Sequence, residues 1–131
     1  MPWSASRITT VLVVPTVEPS LAFWEQRLGF TKVTEVPHGD ALGFVILVKD
    51  ATELMLQSEP SVREDLGPDA RGVTPGTSAV LYVEVSDLDA AGEGLGDYPV
   101  AIPRRTTFYG MDEIGVREPG GHLIVLAQKK A

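Results

Sequence analysis

Apolar and polar positions along this chain run through the same order twice. Ile8 to Val14 is β-branched and apolar, the pattern of a buried strand. Pro15 to Ser20 predicts a turn into a helix, with Thr16 as N-cap and a proline tolerated in the first turn. Leu21, Phe23, Trp24 and Leu28 then recur at helical spacing, and Gly29 stops the helix. Phe30 to Val36 and Leu42 to Val48 predict strands around His38-Gly39-Asp40. Asp50-Ala51-Thr52 is a tighter turn, and Glu53 to Gln57 alternates as a half-buried strand does.

The second round starts at Ala79 to Val85, another strand. Ser86 is the expected N-cap of a helix, with Asp89 three residues on approximating a capping box. Ala90 to Leu95 carries that helix and Gly96 ends it. Pro99 to Pro103 predicts a short strand, and a further strand is ill-defined around Arg104 to Phe108. Glu113 to Arg117 and Leu123 to Gln128 predict a hairpin around Glu118-Pro119-Gly120-Gly121. Val14-Pro15-Thr16-Val17-Glu18 matches Val85-Ser86-Asp87-Leu88-Asp89, so each half repeats one β-α-β-β-β unit. The expected fold is α+β: two curled mixed sheets, helices outside, and a concave inner side. Module one covers about 7–58 and module two about 78–129 of a single domain over 1–131. Residues 59–77, rich in Pro, Gly and charge, are expected to be a linker or flap.

Composition narrows the function classes. Hydrophobic residues are 44% and charged residues 22% of 131, as in an ordinary globular protein. No apolar run approaches the roughly 18 residues of a membrane span, so no membrane partner is expected. The N-terminal residues do not resemble a signal peptide. The absence of cysteine excludes disulfides, thiolate catalysis and cysteine zinc sites, and is compatible with a cytoplasmic location. A net charge of −7 makes nucleic acid a poor partner. It mildly favours a cationic ligand, although acidity commonly serves solubility alone.

Four segments carry a family resemblance. VLVVPTVEPSLAFWEQRLGF (11–30) is similar to the opening strand and helix of the glyoxalase/bleomycin-resistance/extradiol dioxygenase (vicinal oxygen chelate) superfamily. GMDEIGVREPGGHLIVLAQ (110–128) is similar to its closing hairpin, with Glu118-Pro119-Gly120-Gly121 where the family has Asp-Pro-x-Gly. ELMLQ (53–57) and LYVEVSDLD (81–89) fall where the family places its fourth and fifth strands. The Phe23-Trp24 pair resembles the bleomycin-resistance branch. Metal-dependent members hold a divalent ion with four side chains, two per module. The resemblance puts those positions at Thr9, Met55, Val80 and Val125. None suits a hard divalent ion. A slip of one residue gives Ile8 or Thr10, Leu54 or Leu56, Ala79 or Leu81, and Ile124 or Leu126, which are no better. Neither a metal nor another cofactor is therefore expected.

Strand alternation assigns faces. With Thr9 inward, so are Val11, Val13, Glu53, Met55, Gln57, Val80, Tyr82, Glu84, Leu123, Val125 and Ala127, while Thr10, Leu12, Val14, Leu54 and Leu56 face the helix side. Apolar walls with a few polar groups suit a small molecule. The ligand-binding candidates are Thr9, Trp24, Glu53, Met55, Gln57, Tyr82 and Glu84, with Phe108, Tyr109 and Met111 on an overhanging loop. Arg117 is a further candidate, for an anion or for pairing with Glu118 or Glu113. Glu53 and Glu84 are weak candidates for a general base, if buried. His122 is expected to be solvated or turn-stabilising, and His38 to sit in a plain hairpin loop. The first functional expectation is a metal-free, homodimeric binding protein for an aromatic or cationic small molecule such as an antibiotic. The alternatives are a lyase- or isomerase-type enzyme, with a non-standard metal site or a carboxylate base, and a module whose pocket is filled by side chains such as Met55 and Tyr82.

Overall fold

The computed structural model describes residues 2, 4–67, 72–76 and 79–130, and its two halves repeat one another strand for strand. The first holds β1 (Thr10–Val14), α1 (Val17–Gln26), β2 (Thr31–His38), β3 (Ala41–Lys49) and β4 (Thr52–Ser58). Helix α2 (Glu59–Leu66) follows. The second holds β5 (Val80–Glu84), α3 (Leu88–Leu95), β6 (Ile102–Thr106), β7 (Met111–Arg117) and β8 (Leu123–Lys129). The sheet orders are β1-β4-β3-β2 and β5-β8-β7-β6. In each, the first strand pairs parallel with the last and the other pairings are antiparallel. This is the two-module α+β architecture that the repeat predicts.

One face of each sheet is buried. Leu12, Val14, Leu54 and Leu56 of the first sheet join Ile124, Leu126 and Val116 of the second in one apolar cluster, closed by Leu21, Phe23 and Trp24 of α1 and Leu88 and Leu95 of α3. The alternate positions Val11, Val80 and Tyr82 are exposed. Val13, Val125 and Ala127, assigned to that same face, are buried as well, so the period-two reading of the faces matches the burial only in part. The ends of the two helices are also linked: Phe23 of α1 and Tyr98, just after α3, lie 4.7 Å apart between ring centroids, and Nη1 of Arg27, just after α1, donates to the Leu95 carbonyl at 2.9 Å.

Several boundaries differ from expectation. β1 begins at Thr10, leaving Ile8 exposed. Thr16 is the N-cap residue of α1, but its side chain makes no capping hydrogen bond. α3 is capped by Asp87 rather than Ser86. The Asp87 carboxylate accepts from Ala90 N at 3.1 Å, while the Gln128 amide bridges Ser86 O and Leu88 N and sets the start one residue later. β6 is a single strand spanning the two stretches expected around Pro99–Pro103 and Arg104–Phe108. A register shift between Ile102 and Arg105, where Pro103 has no N–H to give the ladder, hides its alternation.

The expected linker is in part a helix. Ser58 Oγ accepts from Ser61 N at 3.3 Å, Pro60 occupies the first turn, and Val62 is buried. Only one apolar residue of α2 is buried, so its charge-rich sequence carries almost no periodic signal. Of the expected linker, residues 68–71 and 77 lie outside the described residues, as does residue 78.

Candidate functional site

The open face of the second sheet is organised in rungs. Register places Glu84, Ala127, Glu113 and Arg105 side by side across β5, β8, β7 and β6, and Tyr82, Val125, Gly115 and Ile102 on the next rung. The β8 positions Ala127 and Val125 are short and Gly115 carries no side chain, so long side chains at the rim can reach Glu113. The Tyr82 hydroxyl crosses β8 to donate to Glu113 Oε2. Tyr109, on the turn between β6 and β7, donates to the same oxygen at 2.7 Å. Arg105 gives Glu113 Oε1 its Nη2 at 2.9 Å and its Nε at 3.3 Å.

Glu113 is 1% exposed, and each of its oxygens receives two donors. Its carboxyl is held below the ordinary carboxylate range, first by the Tyr82 hydrogen bond. The Tyr109 and Arg105 bonds add to this and together outweigh the upward push of burial. The Tyr82 phenol is pushed up, chiefly because its proton is held by Glu113. A saturated, weakly basic carboxylate is a poor proton acceptor, and Tyr82 is a poor acid at neutral pH. What the cluster can do is hold two phenols and a guanidinium in fixed positions. Sequence reasoning named Tyr82 and Tyr109 but passed over Glu113 and Arg105. The available signal was a carboxylate two residues before Gly115 in a strand whose neighbours alternate. The irregular register of β6 concealed Arg105.

The other expected residues scatter. Thr9 is half-buried ahead of β1; Met55 is half-buried opposite Val11; Val80 is exposed and Val125 buried beside Tyr82. They offer one hydroxyl, one thioether and two isopropyl groups, which do not fit a divalent ion. Among the described residues no group of three His, Asp or Glu side chains is arranged to hold a metal. Glu53, Val80, Tyr82 and Glu84 share a cleft of about 400 Å³. Glu53 Oε2 lies 3.9 Å from Arg7, and its Oε1 is buried with no partner among the described residues. Glu84 is exposed at its strand end. Gln57 turns to Ser61 of α2 at 3.1 Å.

Trp24, Arg117 and His122 are placed as follows. Trp24 lines the same cleft as Glu53, Val80, Tyr82 and Glu84, but it is 1% exposed and packs edge-on against Phe30 and Phe23, so little of its ring is open for stacking. Arg117 pairs with neither Glu118 nor Glu113; its Nη1 donates to the Gly121 carbonyl at 3.0 Å. His122 is not solvated. It is buried and stabilises the turn, its Nδ1 lying 2.7 Å from Glu118 Oε1. Phe108 is fully exposed and stands edge-on to Tyr109 at 5.0 Å, and Met111 is half-buried at the start of β7. His38 ties its hairpin to Glu64 of α2 at 3.4 Å.

A family model described as the Glyoxalase/Bleomycin resistance protein/Dioxygenase superfamily matches residues 7–126. No curated protein matches the chain. Among solved structures, a glyoxalase/bleomycin resistance protein/dioxygenase from Nocardioides is 24% identical, with a TM-score of 0.77 over 98% of this chain and 87% of that one. A virulence protein from Salmonella typhimurium is 25% identical, with a TM-score of 0.73 over 97% and 99%. A lactoylglutathione lyase from Agrobacterium tumefaciens is 15% identical, with a TM-score of 0.72 over 95% of each chain. Likeness at the 15% and 24% levels is a likeness of fold.

Proposed function

Because the chain belongs to the glyoxalase/bleomycin resistance protein/dioxygenase superfamily, we propose that it is a metal-free member that binds a small aromatic molecule on the open face of its sheets. The observation that carries this reading is the Glu113 cluster. It orders Tyr82, Tyr109 and Arg105 into a polar, aromatic surface with protein groups alone. The chemistry at Thr9, Met55, Val80 and Val125 supports the same reading, since those side chains supply no carboxylate or imidazole. The lack of a proton acceptor in the cluster favours binding over turnover. Sequestration of an antibiotic is one use of such a surface. A homodimer, in which a second copy covers the exposed Val11 and Val80, belongs to the same proposal.

Two measurements test it. Elemental analysis of native protein should find zinc, nickel, iron and manganese far below one per chain, and a stoichiometric metal would refute the reading. A thermal-shift screen against planar aromatics and cationic glycopeptides should yield stabilising compounds. One present at a hundred times its Kd adds about 2.7 kcal/mol. A screen with no stabilising compound would count against binding.

A further inference from the structure

The hydrogen-bonding valences left open around Glu113 restrict what could sit there. Tyr82 and Tyr109 each commit their hydroxyl proton to Glu113 Oε2, so toward solvent each phenol oxygen can only accept. Arg105 commits its Nε and one Nη2 hydrogen to Oε1. Its side chain is 56% exposed, and the Nη1 hydrogens and the second Nη2 hydrogen can only donate. Glu113 itself is closed to a ligand. The surface therefore shows acceptors and donors side by side, both fixed to one buried carboxylate.

Charge narrows the choice further. Glu113 and Arg105 cancel one another, so the cluster demands no net charge from its ligand. An anion would satisfy Arg105 but set its oxygens against the two phenol oxygens and against Glu84 on the same rung. A cation would satisfy the phenols but meet the guanidinium with no acceptor to offer. A neutral edge that carries a carbonyl acceptor next to an N–H donor matches both sets. The body attached to that edge should be flat and apolar, because the ring of Phe108 stands fully exposed beside Tyr109.

We propose that the Tyr82, Tyr109 and Arg105 surface held by Glu113 is a binding site for a neutral planar heterocycle with a lactam-type edge, its carbonyl on Arg105 and its N–H on the phenol oxygens. This rests on the small-molecule reading above and specifies its ligand class.

The test is an amide NMR titration of the whole chain with five bicyclic probes. Carbostyril carries the lactam edge, quinoline only an acceptor, naphthalene neither, and naphthoate and naphthylmethylammonium supply the two charges. Carbostyril should shift the amides of Tyr82, Arg105, Tyr109 and Gly115, and should bind at least about fivefold more tightly than quinoline, the worth of one added hydrogen bond. Tyr82→Phe and Tyr109→Phe keep the rings and remove the acceptors. In either variant one phenol oxygen remains, so carbostyril should lose part of its advantage over quinoline, and quinoline should be unchanged. If Tyr82→Phe does not fold, Tyr109→Phe, on an exposed turn, carries the comparison alone.

Equal binding of all the uncharged probes, tighter binding of naphthoate or naphthylmethylammonium, or shifts confined to other surfaces would each overturn the proposal. Should carbostyril fail while another compound stabilises the protein in the thermal screen, the lactam site falls and the small-molecule reading stands. Should a stoichiometric metal be found while carbostyril still binds as expected, the metal-free reading falls and the lactam site stands.

Discussion

The hydroxyl of Tyr82 on β5 donates to the carboxylate of Glu113 on β7, across the full width of β8. The reach is possible because the intervening positions are small. Val125 and Ala127 supply the β8 residues, and Gly115 follows Glu113 on the same face. A longer side chain at Ala127 would stand between the two groups. The bond links the edge strand β5 to the interior of its sheet, and Tyr109 and Arg105 close the other sides of the same carboxylate.

Glu113→Gln keeps the shape of the side chain and removes its charge. The amide cannot accept from all four donors, and it turns its own N–H groups toward a phenol or the guanidinium. Arg105 and both tyrosines remain partly solvated, so water can take up some of the loss. The expected effect is a native fold weakened by about 1–3 kcal/mol, read as a lower urea midpoint at constant slope. An unchanged midpoint would mean that the cluster is held by packing rather than by Glu113.

The same carboxylate sets an acid limb. In the unfolded chain Glu113 takes up a proton near the ordinary value of about 4.3, whereas in the native state its pKa lies lower because Tyr82, Tyr109 and Arg105 hydrogen-bond the anion. Between the two values the unfolded state binds more protons, so stability rises with pH there and falls as the solution is acidified. The contribution is fully present above the unfolded value and is lost as pH drops through the native one. Urea midpoints of wild type should therefore fall more steeply than those of Glu113→Gln as pH goes below about 4.3. Parallel curves would remove Glu113 from the acid response.

How much of this was legible in the sequence depended on burial. Strands whose alternate residues pack on the helices, such as Leu54 and Leu56 or Ile124 and Leu126, announce their register because the core admits only apolar side chains there. The repeat of Val14 to Glu18 in Val85 to Asp89 made the two-module fold readable for the same reason. The site was readable only in half. Tyr82 is marked by its face, but Arg105 sits on a strand with a proline and a register shift, and Glu113 looks like any surface carboxylate until its three partners are placed. An aromatic at helical spacing, such as Trp24, reads equally as core or as binding surface, and Trp24 packs into the core where the core borders the cleft. Helix α2 escaped because its stability signal is a cap, Ser58, and not a stripe.

Glu118 and His122 form a second buried pair, at the turn between β7 and β8. Glu118 Oε1 accepts from the His122 backbone N–H at 3.3 Å and meets its ring at 2.7 Å, while Oε2 is buried with no partner among the described residues. His122→Ala would leave that carboxylate with less compensation still. A loss of about 1–3 kcal/mol is expected for the hydrogen bond removed from the buried carboxylate, with a smaller loss for the double substitution Glu118→Gln with His122→Ala. Chemical unfolding of the single and double variants measures the difference. Equal losses would show that His122 contributes only its volume.

Gly92 and Gly94 lie in the same helix, α3, and predict opposite outcomes for the same substitution. A Cβ at Gly92 meets nothing within 4 Å, so Gly92→Ala should stabilise the helix by about 0.5–1 kcal/mol through reduced backbone freedom in the unfolded chain. A Cβ at Gly94 would stand 2.7 Å from the backbone carbonyl oxygen of Arg27 at the end of α1. That oxygen cannot swing aside as a side-chain tip would, because Arg27 N is bonded to Phe23 O and its Nη1 to Leu95 O. Gly94→Ala should therefore cost about 1–3 kcal/mol despite its gain in helix propensity. Both variants carry the same propensity term, so the difference in their urea midpoints reads the contact between the two modules. Equal stabilisation would mean that α3 moves away from Arg27 at little cost, and that the modules are joined less tightly than the shared core implies.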